Sequence, residues 1–373
     1  MKILYIAHYR ENSGWSEFAK HHILALDAIG VDVVPRQVKL NDEWNEPHPR
    51  IEELEKKSAE GCDVIIQCLL PHHYQYQGGA KNIGVYFTET SDFTYSSWPS
   101  HINMMDEAWV TNQDAIEVAK HSGIEIPVKQ VSPALDLSKY TQDYQIANDI
   151  KEQNGNEFLF YFIGDFRRRK NLSAALKAFH IEFGPHEPAN IVIKTTKYGI
   201  DSQRLRQDVI NQISAIKTGL RLYPSLDDYK KEIIITDHLT DAQMGSLHKT
   251  CDCLVAPSFG EALGLVVLDG MGFGNYVIST DIGGPSEYIL HGQDGFLTAI
   301  NNDICFGVSE DTFPFLMTAR EEWYNADIED LRKQMRRAYS GEFNHIPTNA
   351  HNKVKEFNYD QTGKQIVDLI EAK

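Results

Sequence analysis

Short apolar runs alternate with helical patterns in two separate series along this chain of 373 residues. The first series contains six candidate strands, at 3–7, 31–34, 63–67, 83–87, 108–110 and 128–131. The second series contains five, at 158–163, 190–194, 232–236, 253–256 and 276–279. Near-continuous apolar strands separated by helices indicate parallel sheets that are covered on both faces. The sequence therefore predicts an α/β fold of two doubly wound domains that face each other across a cleft.

A polar stretch separates the two series. Residues 132–156 include a proline and a glycine and few apolar side chains, which is typical of a linker. We therefore expect a Rossmann-like N-terminal domain over 1–140 and a Rossmann-like C-terminal domain over 150–345. A helical pattern near 320–338 belongs to the second domain, and the terminal helical segment 355–373 is a candidate to pack back on the first.

The composition limits the classes of protein to which this chain can belong. Its 53 acidic and 36 basic residues give a formal charge of −17, which argues against a main role in binding nucleic acid or anionic lipid. No window approaches the roughly 18 apolar residues of a membrane-spanning helix, and no secretory signal pattern is visible. The five cysteines lack CxxC spacing and predict neither a disulfide framework nor a metal site. We expect a cytoplasmic protein without an integral membrane segment.

Two carboxylates eight positions apart follow the fourth strand of the second series. The polar loop 257–264 passes into an apolar helix predicted over 263–272, with Glu261 at the helix mouth and Asp269 about 12 Å further along the axis. The amide groups of a helix N-terminus favour an anion such as a diphosphate. The two carboxylates could accept hydrogen bonds from hydroxyls at opposite ends of a nucleotide sugar. An ordinary helix with a capping glutamate and an exposed aspartate is the alternative interpretation.

Four consecutive cations lie between the first strand of the second series and the next helix. This basic turn, 167–170, comes directly before a helix predicted over 172–183. Arginine can bind two phosphate oxygens at once, whereas lysine acts as a point charge. Arg168, Arg169 and Lys170 are therefore candidate ligands of a diphosphate, and their charge would remove the need for a metal ion. A solvated basic turn is the alternative interpretation.

Two loops of the first series carry further candidates. Gly14 follows the first strand, where a residue without a side chain lets a ligand approach the backbone. The alternative for this loop is a plain turn in which Ser13 or Ser16 caps the next helix. Glu89 follows the fourth strand, where it could bind a sugar hydroxyl, position an acceptor or be an exposed loop acid.

The segment 257–297 resembles the signature of retaining GT-B glycosyltransferases, and among these it is similar to glycosyltransferase family 4. In that family an acidic pair separated by seven residues binds the donor. The resemblance implies that Glu261 contacts the transferred sugar and that Asp269, at a position where the family usually has glutamate, contacts the ribose. It also implies that Gly264 and Leu265 form the turn that binds the diphosphate.

The loops outside this segment resemble the family less closely. Lys170 falls on the family's lysine, whereas Asp165 stands where the family has an arginine, so we expect Arg169, and after it Arg168, to supply the missing charge. The family often has two glycines where this chain keeps only Gly14, and many members have a histidine at the place that Thr88 or Glu89 fills here.

The resemblance implies a hexosyltransferase that moves a sugar from a nucleotide-diphosphate sugar to an acceptor hydroxyl with retention of configuration. The departing phosphate oxygen would help to take the acceptor proton, the N-terminal domain would bind a glycan, lipid-linked or small-molecule acceptor, and no metal or other cofactor would be required. Two alternatives remain open, a non-catalytic nucleotide-sugar-binding protein and another GT-B enzyme such as a sugar-nucleotide epimerase or a phosphorylase. Modified DNA is a minority interpretation of the acceptor because of the acidic charge.

Overall fold

The structure is a computed structural model that describes residues 1–40, 48–308 and 316–372. The described residues divide into two units, each built on its own six-stranded sheet. The N-terminal unit consists of the described residues of 1–137 together with 316–321 and 355–372. The C-terminal unit consists of 138–308 and 322–354.

The sheet of the N-terminal unit is parallel throughout. Its strands are β1 (Lys2–Ala7), β2 (Asp32–Gln37), β3 (Val64–Cys68), β4 (Lys81–Val85), β5 (Glu107–Val110) and β6 (Val128–Gln130), in the spatial order β2-β1-β3-β4-β5-β6. The helices that alternate with them are α1 (Gly14–Ala28), α2 (Pro49–Glu55), α3 (Trp98–Ile102) and α4 (Gln113–His121). The six strands predicted for the first series are thereby confirmed.

The C-terminal unit repeats this plan and adds a small hairpin. Its strands are β7 (Phe158–Asp165), β8 (Ala189–Thr196), β9 (Ile233–Ile235), β10 (Cys253–Ala256), β11 (Tyr276–Thr280), β12 (Phe296–Thr298), β13 (Ile300–Ile304) and β14 (Glu322–Ala326). Its helices are α5 (Asn148–Asn154), α6 (Leu172–Glu182), α7 (Ser202–Leu220), α8 (Asp241–Thr250), α9 (Leu265–Gly272), α10 (Gly284–Tyr288), α11 (Ile328–Ser340) and α12 (Ile346–Val354). The parallel sheet has the order β12-β11-β10-β7-β8-β9, and β13 pairs with β14 antiparallel.

A large hydrophobic core lies on one face of this second sheet. Phe160 and Phe162 of β7 alternate toward a cluster that includes Phe179 of α6 and Met335 of α11, and all four are buried. Burying each of these side chains contributes about 1.5–3 kcal/mol relative to leaving it exposed. The alternation leaves the opposite side chains of β7, including Asp165 at its end, on the other face of the sheet.

In both sheets the strand order reverses beside the first strand of the series. In the C-terminal unit β7 lies between β8 and β10, so the loop after β7 and the loop after β10 leave neighbouring strands in opposite directions. Ligands of doubly wound folds bind in the crevice at such a reversal, outside the carboxyl ends of the strands. Both motifs singled out in the second series, 164–171 and 257–264, are at this position.

Two sequence expectations, one for the stretch between the two series and one for the C-terminal unit, are wrong in detail. The stretch 132–156 is not irregular throughout, because it contains a 3-10 turn at Leu137–Thr141 and the helix α5. The helix expected over 320–338 begins only at Ile328, after the N-cap Asp327, and the residues before it form β14. Polar residues in β13, Asn301 to Asp303, conceal the period of the hairpin that β13 and β14 form.

The last helix, α13 (Tyr359–Glu371), belongs to the N-terminal unit. It begins at the N-cap Asn358, and Thr362 donates a hydrogen bond to the carbonyl of Pro133 over 2.9 Å. Tyr359 Oη lies 2.7 Å from Nδ1 of His21 on α1. Among the described residues, none of the helices is both long enough and apolar enough to cross a lipid bilayer.

Candidate functional site

The loop between β10 and α9 is shaped by a glycine that no other residue could replace without strain. Gly264 has a φ of 77° and is the N-cap of α9, and a Cβ at this position would lie 2.8 Å from the hydroxyl oxygen of Tyr288. Since glycine has no side chain, the first turn of α9, which begins at Leu265, has no side-chain cap. Its amide groups are therefore suited to an anion.

A second loop holds this one in place. The Gly284 amide donates a 3.0 Å hydrogen bond to the carbonyl of Glu261, and a Cβ on Gly284 would lie 2.4 Å from the carbonyl oxygen of Leu263. The two loops could not approach so closely with any other residue at 284. Glu261 itself lies in the loop, four residues before the first residue of α9, so the axial distance expected from a shared helix does not apply.

Glu261 is the centre of a nearly buried ion cluster. Its Oε2 lies 2.6 Å from Nζ of Lys170, 3.6 Å from a guanidinium nitrogen of Arg169 and 3.3 Å from the hydroxyl of Ser258, and its side chain is 12% exposed. Burial alone would raise the pKa of Glu261, but the charges of Lys170 and Arg169 and the hydrogen bonds outweigh it and lower the pKa to about 2. Glu261 is therefore ionised at neutral pH.

The local backbone explains why these two cations reach Glu261. After β7 the chain makes a single 3-10 turn at Arg168–Lys170, and Asn171, with a φ of 55°, caps the N-terminus of α6. Arg169 also donates to the carbonyl of Gly260 over 2.8 Å, and its own carbonyl accepts from the amide of Phe259 over 2.8 Å. The basic turn is thus fastened to the loop after β10 by backbone and side-chain contacts.

Arg168 does not join this cluster. Its guanidinium lies over the rings of Phe259 and Phe306, 5.9 and 5.4 Å from their centroids, and it lines a cavity of about 590 Å³ together with Asn325 and Asp303. The structure therefore brings Arg169 and Lys170 to Glu261 and directs Arg168 elsewhere in the same unit. Arg169, which was expected before Arg168 to supply charge beside Lys170, is the arginine that reaches this cluster.

Asp269 has its own cation, Lys139, which the sequence did not predict. Lys139 Nζ lies 2.5 Å from Oδ1 of Asp269, and the hydroxyl of Tyr140 donates to the same oxygen over 2.8 Å. Burial would raise the pKa of Asp269, whereas the charge of Lys139, a smaller contribution from His248 and the two hydrogen bonds lower it. The ring of Tyr140 packs edge-on against Phe273, which follows the last residue of α9. Part of the stretch 132–156, which was predicted to be a linker, therefore packs against this site.

Both carboxylates are held in the same way. Each is bound to a lysine and to a hydroxyl through a single oxygen, Oε2 in Glu261 and Oδ1 in Asp269. In the described part of the chain, no hydrogen bond reaches Oε1 of Glu261 or Oδ2 of Asp269. The arrangement therefore fixes two ionised carboxylates and leaves one acceptor oxygen on each for the hydroxyls of a ligand.

The candidates in the N-terminal unit lie at the carboxyl end of its own sheet. Gly14 is the first residue of α1, and the Ser13 hydroxyl caps that helix by accepting from the amide of Ser16 over 3.2 Å. A Cβ on Gly14 would meet nothing within 4 Å, so the fold of the unit does not itself require glycine there. Glu89 is half-buried in the loop that follows β4. Neither observation assigns the two residues a ligand.

The C-terminal unit also matches a known protein family. Residues 157–306 match the family model described as Glycosyl transferases group 1. The group 1 segment contains Lys170, Glu261 and Asp269, and the resemblance to GT-B glycosyltransferases inferred from the sequence is confirmed.

Curated relatives align with about half of the chain. The D-inositol 3-phosphate glycosyltransferase of Pseudarthrobacter chlorophenolicus is 25% identical over 193 residues, which are 50% of this chain and 42% of that protein. The Alpha-1,3/1,6-mannosyltransferase ALG2 of Mus musculus is 27% identical over 169 residues, which are 44% of this chain and 39% of that protein. The chain thus spans less than half the length of these two relatives.

Solved structures resemble the whole chain. The sucrose-phosphate synthase of Thermosynechococcus elongatus has a TM-score of 0.67 at 14% identity, covering 99% of this chain and 98% of that one. Anabaena Alr3699/HepE, in complex with UDP and glucose, has a TM-score of 0.65 at 14% identity, covering 99% of both chains. At this identity the likeness concerns the fold, which is the GT-B fold expected for the group 1 segment.

Proposed function

We propose that this chain is a glycosyltransferase that moves a sugar from a nucleotide-diphosphate sugar to an acceptor hydroxyl with retention of configuration. One observation carries the proposal. Glu261 and Asp269 are each held by a lysine through a single carboxylate oxygen. Glu261 lies just before α9 and Asp269 lies within it, and the N-terminus of α9 has no side-chain cap. This combination offers acceptors for two sets of hydroxyls together with a site for the diphosphate that joins them.

Each group in the C-terminal unit has a role in this proposal. Glu261 accepts hydrogen bonds from the transferred sugar, and Asp269 accepts them from the ribose. Arg169, Lys170 and the amides that follow Gly264, including that of Leu265, bind the diphosphate and stabilise the charge that develops on it as the glycosidic bond breaks. The phosphate oxygen that departs helps to take the proton of the acceptor hydroxyl. These cations make a metal ion unnecessary.

The N-terminal unit would contribute the acceptor site. Gly14 would allow the donor diphosphate to approach the backbone, and Glu89 would contact the transferred sugar or position the acceptor. Arg168 remains a candidate for the diphosphate, although its guanidinium lies over two aromatic rings. The acceptor classes that fit a hydroxyl nucleophile are a glycan, a lipid-linked acceptor and a small-molecule acceptor.

The first experiment identifies the donor. The purified chain is incubated with UDP-, GDP- and ADP-sugars, and binding is followed by the rise in melting temperature that a ligand specific for the folded state produces. For the donors that bind, release of free nucleoside diphosphate is then measured without an acceptor and with a panel of polyols and simple glycosides. We expect slow hydrolysis that an acceptor accelerates and diverts into glycoside.

The same reaction distinguishes the alternatives. A non-catalytic binding protein would raise its melting temperature with a nucleotide sugar and leave the donor intact, whereas an epimerase would convert the sugar without acceptor-dependent transfer. Retention is tested by proton NMR of the first product, whose anomeric coupling must match that of the donor. Inversion of the coupling would refute the retaining mechanism and leave the transferase assignment intact.

A further inference from the structure

Lys194 is a buried lysine in the six-stranded sheet of the C-terminal unit, and the proposed donor site does not use it. It lies near the end of β8, in register between Ile163 of β7 and Ile235 of β9, and only 6% of the residue is exposed. Its neighbours Ile193 and Ile191 lie in the core cluster beneath the sheet. Because side chains alternate along a strand, Lys194 lies on the opposite face of the sheet, the face that also carries Asp165.

The ammonium group of Lys194 makes no hydrogen bond and no ion pair with any residue that the structure describes. Two carboxylates flank it at the carboxyl edge of the sheet, Asp165 two residues beyond Ile163 and Asp237 two residues beyond Ile235. Both have other contacts, since Asp165 Oδ2 lies 3.4 Å from Nε of Arg167 and Asp237 Oδ1 accepts a 2.6 Å hydrogen bond from Ser202. Asp165 and Asp237 interact with Lys194 electrostatically, but neither carboxylate lies within ion-pair distance of its ammonium group.

This position costs the folded chain stability. Burial lowers the pKa of Lys194, and the charges of Asp165 and Asp237 offset that effect only in part. A lowered pKa means that the folded state disfavours the charged form that exists at neutral pH. Lysines that are nearly buried and lack a protein partner are rare, and groups with perturbed pKa values are concentrated at functional sites.

The place in the fold identifies the kind of ligand. The carboxyl end of β8 is next to β7, whose following loop supplies Arg169 and Lys170, and ligands of doubly wound sheets bind beyond these strand ends. An ammonium group donates up to three hydrogen bonds and accepts none. The partner must therefore present oxygen acceptors, such as those of a phosphate or of a nucleobase carbonyl.

We propose that Lys194 is a further donor-binding residue, which contributes its ammonium group to an acceptor oxygen of the nucleotide. The inference rests on the proposed function, and it assigns the residue to the nucleotide rather than to the transferred sugar or the acceptor. In this proposal the ammonium group of Lys194 has no partner in the protein alone, and an oxygen of the bound nucleotide accepts its hydrogen bond.

The test compares Lys194→Met, which keeps the length of the side chain and removes its charge, with Lys249→Met on the exposed surface of α8. Calorimetric titrations use the nucleoside diphosphate that the wild type binds, the matching nucleoside and inorganic pyrophosphate. We expect Lys194→Met to weaken the diphosphate at least tenfold and to raise the melting temperature of the protein measured without nucleotide. The control variant should change neither quantity.

The probes separate the two sources of oxygen. Loss of affinity for the diphosphate and for pyrophosphate, with the nucleoside unchanged, identifies a phosphate contact, and an equal loss for the nucleoside identifies a contact to the base. If Lys194→Met does not fold, Lys194→Gln, which keeps a hydrogen-bond donor, takes its place in the same titrations.

Two further results would overturn the inference in distinguishable ways. If the folded variant binds the diphosphate within twofold of the wild type and its melting temperature falls, Lys194 has a structural role and the proposed function is unaffected. If the wild type binds no nucleotide at all, the proposed function fails, and the assignment of Lys194 fails with it.

Discussion

Lys170 Nζ lies 2.6 Å from Oε2 of Glu261, so the cation expected to bind the diphosphate is paired with the carboxylate expected to bind the sugar. The pair places positive charge beside the uncapped start of α9 and, at the same time, orients Glu261 with Oε1 available. A nucleotide sugar joins a diphosphate to a sugar by one bond, so two adjacent groups of opposite charge suit the two sides of that bond. The pair therefore links recognition of the leaving group to recognition of the transferred sugar.

The role of Lys170 is tested by Lys170→Met. Because its charge serves the diphosphate, we expect nucleoside diphosphate and nucleotide sugar to lose affinity alike, by tenfold or more, which is about 1.4 kcal/mol. Nucleoside monophosphate should lose less, since it lacks the distal phosphate. Calorimetric titration of the three ligands measures this difference. An equal loss for the monophosphate would show that Lys170 does not bind the distal phosphate.

Lys139 should act through Asp269. Burial raises the pKa of Asp269, and the charge of Lys139 opposes this effect. Lys139→Met should therefore raise the pKa of the Asp269 carboxyl, and it removes the ion pair that fixes the position of this side chain. If Asp269 binds the ribose, nucleoside monophosphate and diphosphate should weaken by the same factor, unlike in Lys170→Met. Lys139→Arg, which restores a cation, should recover most of the affinity. Weakening confined to the diphosphate would place Lys139 on the phosphates instead.

The pKa of Glu261 predicts a pH dependence of stability. Its value of about 2 in the folded chain lies below the ordinary value near 4.5, so the ionised side chain stabilises the fold above pH 4.5 and this contribution disappears as the pH falls toward 2. At pH 7 this lowering of the pKa from 4.5 to about 2 contributes on the order of 3 kcal/mol. Urea unfolding of the wild type and of Glu261→Gln should therefore differ most at pH 6–7 and converge toward pH 2.

A surface substitution controls for general acid effects in this comparison. Glu125→Gln changes an exposed residue, and its free energy of unfolding should follow the wild type throughout the range. A difference between wild type and Glu261→Gln that stays constant from pH 7 to pH 2 would mean that the ion cluster does not hold Glu261 ionised in solution.

Turnover should persist in excess chelator. Arg169, Lys170 and the start of α9 supply the positive charge that a divalent cation would otherwise place on the departing diphosphate. Release of nucleoside diphosphate is measured with EDTA and after adding back magnesium or manganese. Complete loss of turnover in EDTA, restored by either metal, would contradict this prediction.

The sequence predicted the two sheets because the strands of a covered parallel sheet are near-continuous apolar runs. It did not predict β13, whose centre is polar, or the ordered turn that carries Lys139. The partners of Asp269 could not be read from spacing, since 130 positions separate Lys139 from it and only the fold brings them together. Lys194 could have been recognised in the sequence as a lysine at the end of an apolar strand, and the structure shows that it is buried.

The two carboxylates should differ in the kinetic constant that they control. Asp269 is assigned to the ribose, which is a spectator, so its interaction stabilises the ground state and the transition state together. Asp269→Asn should therefore raise the KM for the donor and largely spare kcat. Glu261 is assigned to the sugar on which charge develops, so Glu261→Gln should lower kcat by more than tenfold, about 1.4 kcal/mol or more in the barrier.

Titration with nucleoside diphosphate alone decides between these roles, because this ligand keeps the ribose and lacks the sugar. The Glu261→Gln variant should bind it nearly as the wild type does, and Asp269→Asn should bind it poorly. Tyr140→Phe is a matched control, since it removes one hydrogen bond from Oδ1 of Asp269 and keeps the ring against Phe273. It should weaken the diphosphate less than Asp269→Asn does. If Glu261→Gln is instead the variant that loses the diphosphate, the two roles are reversed or this loop does not bind a donor.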